Sequence, residues 1–77
     1  MKNIKLTIKT MMASRGFTME QLRKEFNERT GKNYVQQSFS YKINKETIKV
    51  SELIVICQIL GYNLFIEDAN THERLPE

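Results

Sequence analysis

The sequence predicts an all-α fold of four short helices, completed by a short C-terminal β-strand. Three observations predict it. Apolar residues recur at spacings of three and four through most of the chain, residues that favour helix starts precede two of those stretches, and Gly16, Gly31 and Gly61 stand where three of them end. With 77 residues there is room for one hydrophobic core, so residues 1–69 read as a single domain and residues 70–77 as a polar, flexible tail.

The first element admits two readings. Ile4, Leu6 and Ile8 alternate with polar residues as a strand does, while Ile4, Ile8, Met11 and Met12 follow helical spacing. The Arg15-Gly16 pair favours a helix from about residue 5, because a cation in the last turn and a following glycine are helix-end signals. Thr18 with Gln21 three residues on is a capping-box pattern, which starts a second helix whose apolar face is Met19, Leu22 and Phe26. That helix should fade around residues 28–30, before Gly31. A third, shorter helix fits residues 35–43, with Val35, Phe39 and Ile43 as its core stripe. Ser51 and Glu52 open a fourth, in which Leu53, Ile56, Cys57 and Leu60 form the buried stripe and Ile54, Val55 and Ile59 widen it; Gly61 ends it. Tyr62 to Glu67 is rich in strand formers. A lone strand is unstable in water, so it needs a partner, either the N-terminal residues or the same strand of a second subunit.

The net charge of +3 conceals an asymmetry. Residues 1–50 carry eleven lysines and arginines against four glutamates, a net +7, and residues 51–77 carry one arginine against five carboxylates, a net −4. A basic front half suits a polyanionic partner, although a solvated helical surface has the same charge. The single cysteine excludes an internal disulfide and fits a reducing, cytoplasmic setting. The longest apolar runs are far shorter than the ~18–20 residues of a membrane span, and the N-terminus lacks a signal peptide's apolar core. Cys57 reads as a small buried hydrophobe, His72 as a solvated tail residue, and the methionines as core filler. With no His/Cys cluster, no base beside a nucleophile and no phosphate-loop pattern at Gly31-Lys32, neither an enzyme nor a metal or cofactor site is expected.

The run Arg15-Gly16-Phe17-Thr18, then Leu22 and Phe26, then Gln36 through Asn44, then Leu53, Ile56, Cys57, Leu60, Gly61 and Tyr62 resembles the phage lambda repressor-like, Xre-type helix-turn-helix family. The resemblance spans about residues 5–67. It implies binding to double-stranded DNA, with the third helix in the major groove and the second across the backbone. Mapped onto that family, Gln36 and Gln37 fall at recognition glutamines, whose amides match adenine N6 and N7 or brace a phosphate. Ser38, Ser40, Tyr41 and Lys42 are the next candidates, and Asn44 and Lys45, joined by Lys49, would meet phosphate. On a helix opened by Gln36, residues 37, 40, 41 and 44 share the face opposite the core stripe, so geometry agrees with the mapping at Gln37 and Tyr41. Tyr41 suits either a base contact or a cap on the core.

Three features depart from that family. The connection from Asn27 to Asn33 is longer, which a longer second helix would explain. Arg23 stands at a position where the family has a small alanine, and must splay the helices or turn outward. Met19 replaces a phosphate-contacting glutamine. Arg29 and Lys32 in the insertion add charge near the same surface.

These features lead to the expectation of a sequence-specific transcriptional regulator, a repressor of phage or mobile-element type. A homodimer is expected because one short helix reads too few bases, with Tyr62 to Glu67 or the excess apolar surface at Ile54, Val55 and Ile59 pairing the subunits. The competing expectation is a protein-interaction module, an antitoxin or adaptor that binds DNA weakly. No membrane or small-molecule partner is expected.

Overall fold

The structure, a computed structural model, describes residues 3–75, so residues 1, 2, 76 and 77 of the sequence expectations lie outside it. Four helices follow one another: α1 (Ile4–Arg15), α2 (Met19–Thr30), α3 (Gln36–Asn44) and α4 (Val50–Leu60). A two-stranded antiparallel hairpin, β1 (Ile66–Glu67) and β2 (Arg74–Leu75), completes the described chain.

The helix ends follow the local chemistry anticipated for them. Asn3 accepts from the Leu6 N–H at 2.9 Å, so α1 begins at Ile4, and residues 4–8 are helical rather than extended. Thr18 and Gln21 form the reciprocal capping box, with Gln21 N–H donating to the Thr18 hydroxyl at 3.1 Å and Thr18 N–H to the Gln21 amide oxygen at 2.9 Å. Gly16, Gly31 and Gly61 each follow a helix with φ of 68°, 72° and 78°, a left-handed conformation that a Cβ would oppose. At the start of α4 the sequence expectation needs correction. Lys49, not Ser51, is the N-cap, and its N–H donates at 2.9 Å to the carboxylate of Glu52.

The core joins Ile8, Met11 and Met12 of α1, Leu22 and Phe26 of α2, Phe39 and Ile43 of α3, and Leu53, Ile56, Cys57 and Leu60 of α4. Met19, Val55 and Ile59 pack against its margin. Val35 does not belong to it. As the N-cap of α3 it is 62% exposed, and its neighbour Tyr34 turns inward instead, its ring centroid 6.0 Å from that of Phe26 and 6.3 Å from that of Phe39. The cause is that residue 35 precedes the helix, so the four-residue spacing to Phe39 no longer places both on one helical face.

Arg15 holds the far end of α4. Its guanidinium donates to the carbonyl oxygens of Leu60 at 2.8 Å and Gly61 at 3.4 Å and stacks 4.3 Å from the Tyr62 ring centroid, a cation at the negative end of a helix dipole. Beyond Tyr62 the strand is shorter than expected and its partner is different. Ile66 pairs with Leu75 and Glu67 with Arg74, so residues of the segment anticipated as a flexible tail supply the second strand. Asp68 turns the chain between them, its carboxylate accepting from Asn70 N–H at 2.8 Å and Thr71 N–H at 3.1 Å. Those two donors hold the Asp68 carboxyl below its ordinary pKa.

Candidate nucleic-acid interface

Helix α3 lies between a buried and a solvated face. Phe39 and Ile43 are fully buried, while Gln36, Gln37, Ser38, Tyr41, Asn44 and Lys45 are exposed and Ser40 is half-buried. The exposed side therefore gathers most of the expected contact residues, and α3 contains no carboxylate. It is a surface of amides, hydroxyls and one phenol, groups that both donate and accept hydrogen bonds. Tyr41 is 61% exposed, which decides against its capping the core, and Lys45 Nζ lies 5.9 Å from its ring centroid. Asn44 donates to the Ser40 hydroxyl at 3.3 Å, which ties those two side chains together along the helix.

The start of α3 is fixed by α2 in a way the sequence did not reveal. Asn27 makes a two-way amide pair with the Tyr34 backbone, its side-chain nitrogen donating to the carbonyl at 2.9 Å and its oxygen accepting from the N–H at 3.1 Å. Arg23 donates to the same Tyr34 carbonyl at 3.0 Å while pairing with Glu20 through a 2.9 Å bond. Arg23 thus spans α2 to the connection. The second helix is longer, running to Thr30, and the remaining five-residue connection, 31–35, is fastened by these bonds. An Asx side chain seven residues before a tyrosine is too common a pattern to have signalled this.

One expected contact residue has a different occupation. Lys42 Nζ donates to Glu52 Oε2 at 2.9 Å and to the Tyr34 hydroxyl at 2.9 Å, with its side chain only 19% exposed. The Tyr34 hydroxyl donates in turn to Glu52 at 3.3 Å, and Lys32 Nζ lies 3.5 Å from the same oxygen. Glu52 itself is buried. Burial pushes its carboxyl up, but the Lys49 N–H and the ammonium groups of Lys42 and Lys32 outweigh that and hold it at about 2. Lys42 is raised by its bonds to Tyr34 and Glu52. In the sequence Glu52 has only a helix-start role, and its place as the counter-charge of α3 depends on how α3 and α4 pack.

Of the remaining expected cations, Lys32 belongs to this cluster and the others stand outside it. Lys45 and Lys49 are exposed, Lys32 keeps 45% of its side chain in solvent, and Arg29 is 46% exposed beside Glu25 at 3.7 Å. At the other end of the α3–α4 connection, Glu46 adopts a φ of 56° and its carboxylate accepts from the Lys5 N–H at 3.2 Å, closing the start of α1 against this loop. Among the described residues no group of three or more His, Cys, Asp or Glu side chains could hold a metal, and no helix is long and apolar enough to cross a membrane.

Compared with protein-family models, with curated proteins and with solved structures, the chain matches none. A functional reading of this four-helix domain therefore rests on its own residues.

Proposed function

We propose that this chain is a sequence-specific DNA-binding regulator that presents α3 to the major groove, a repressor of phage or mobile-element type acting in the cytoplasm as a homodimer. The observation that carries the reading is the exposed face of α3. Gln37, Tyr41 and Asn44 share that face with half-buried Ser40, Gln36 and Ser38 flank its start, and Lys45 follows its end, with no carboxylate in the helix. Such groups match base edges, which present donors and acceptors, better than they match an apolar protein surface.

In this reading Gln37 and Tyr41 face bases, Gln36 and Ser38 reach base edges or the adjoining phosphates, and Ser40 is a minor contact braced by Asn44. Lys45 and Lys49 neutralise phosphate beside the α3–α4 connection, Arg29 does so from the end of α2, and Lys32, half in solvent beside Glu52, adds a charge shared with that carboxylate. Lys42 is an anchor for the helix instead of a phosphate ligand, because its ammonium is already committed to Glu52. A net +7 over residues 1–50 supplies the long-range attraction.

The deciding experiment is selection of bound duplexes from a random pool. A consensus with two inverted half-sites about one helical turn apart is the expected result. Recovery of no consensus, with Gln37→Ala leaving affinity for mixed duplex unchanged, sinks the reading and leaves the protein-interaction module.

A further inference from the structure

Three of the four helices end on glycine, but α3 ends on a residue whose side chain opposes the same backbone. Glu46 adopts a φ of 56°, a left-handed conformation that a Cβ disfavours. Its N–H donates to the Ile43 carbonyl at 3.1 Å, and that of Thr47 donates to the Lys42 carbonyl at 3.0 Å. Glu46 therefore occupies the place after a helix that glycine ordinarily takes. A non-glycine residue keeps such a conformation only where its surroundings hold it there, which points to a use for the side chain.

That side chain reaches a residue 41 positions away. One oxygen of the Glu46 carboxylate accepts from the Lys5 N–H at 3.2 Å, in the first turn of α1. The turn contains no acidic residue of its own, and the Asn3 side chain serves Leu6. Glu46 thus supplies an acceptor for a backbone donor that has no partner within its helix, and the negative charge that a helix start favours. Among the described residues this is the one hydrogen bond that joins the α3–α4 connection to α1.

The connection so fastened carries Lys45 and Lys49. The Thr47 bond to Lys42 holds it on the α3 side and the Lys49 N–H bond to Glu52 on the α4 side, so Glu46 is its third hold. Glu46 is exposed and lies in sequence between two exposed lysines, yet its carboxylate is bonded to α1 and not to either of them. We propose that Glu46 is a positioning residue for phosphate binding: tied to α1, its carboxylate steadies the connection so that Lys45 and Lys49 are left to the DNA backbone, and keeps its own charge from the phosphates. This rests on the DNA-binding reading. The two roles open to a carboxylate at this place differ in sign. Removing a bystander charge beside DNA strengthens binding, because it relieves repulsion of phosphate, whereas removing a positioning carboxylate weakens it.

Anisotropy titrations of the full chain on mixed-sequence duplex test the role with Glu46→Gly and Glu46→Gln. Glycine deletes the tie to α1 while suiting the left-handed backbone, so that variant keeps its fold, as far-ultraviolet circular dichroism checks. Glutamine removes the charge but keeps an oxygen able to accept from Lys5. Glu46→Gly should bind about threefold or more weakly than the native chain, with a salt slope shallower by up to about 0.9, the share of one phosphate contact. Glu46→Gln should bind at least as tightly as the native chain and keep its slope. Hydrogen exchange at the Lys5 N–H should accelerate in Glu46→Gly and not in Glu46→Gln. A Glu46→Gly chain that binds as tightly as native or more tightly, or a Glu46→Gln chain as weak as Glu46→Gly, overturns the proposal and leaves the DNA reading in place. So does a Lys5 exchange rate indifferent to Glu46→Gly. A native chain that binds no duplex overturns the DNA reading and this role with it; the Lys5 exchange, which needs no DNA, tells that failure from loss of the tie itself.

Discussion

Acidification should act on this fold first through Glu52. Its carboxyl titrates at about 2 in the folded chain against an ordinary 4.5, so on lowering pH the unfolded chain takes up the proton before the folded one does. The stabilisation from this group is thus complete above about 4.5 and is lost as pH falls toward 2, amounting to about 3 kcal/mol in all at 1.36 kcal/mol per unit. Lys42 has the opposite sign: its raised pKa contributes below the ordinary 10.5 and is lost as pH rises beyond it. Urea denaturation across pH should show the acid-side decline in native protein and a shallower one in Glu52→Gln. Lys42→Ala leaves a buried carboxylate short of its closest cation and should cost about 3 kcal/mol by the same measurement. Because Lys42 is an anchor, that substitution should leave the salt slope of DNA binding unchanged, whereas Lys45→Ala should reduce it by about 1. An equal reduction by both would return Lys42 to the phosphate contacts.

At the scale of elements, what aims the candidate recognition helix is the bonding of α2 to residue 34. Asn27→Ala removes both bonds of the amide pair and leaves Arg23 as the remaining α2 donor to the Tyr34 carbonyl. It should destabilise the domain by about 1–2 kcal/mol, since a half-buried backbone N–H loses its partner. Amide hydrogen exchange at Tyr34 should accelerate more than at Phe39, whose N–H is held by the Val35 carbonyl inside the helix ladder. If the two amides accelerate equally, the effect is global and Asn27 has no special hold on the connection. The capping box at α2 was legible from Thr18 and Gln21 because both partners lie within one turn. The clasp at Tyr34 was not, because its meaning depends on a chain reversal between them.

Across the whole molecule, the two halves of the sequence have separate chemistry. The α3–α4 connection holds Lys45 and Lys49, the α2–α3 connection Lys32 and the last turn of α2 Arg29 as candidate phosphate ligands, so the log-log salt slope for mixed duplex should lie between about −3 and −4 at about 0.9 per contact, the smaller figure when Lys32 stays with Glu52. Anisotropy titrations between 50 and 300 mM salt check it, and a flat dependence would remove electrostatic DNA binding from consideration. Cys57 sits in the buried stripe of α4 with 4% exposure, and burial raises its thiol pKa. It should therefore react with a disulfide reagent more slowly than a free thiol at pH 8, and faster once the chain is unfolded.

The sequence by itself determined the four helices, the capping at Thr18, the glycine stops and most of the core, because each of these is fixed by residues within a turn or two of one another. It also carried the charge asymmetry and the polar, carboxylate-free composition of residues 36–44. Only the tertiary structure decided that Tyr34 and not Val35 packs against the core, that Lys42 is committed to a buried Glu52, and that the strand after Gly61 pairs with residues of the chain's own tail. Those outcomes depend on groups seven to ten residues apart, or on where a helix begins to within one residue. At that range helical spacing predicts which side chains face inward but not which partner each one meets.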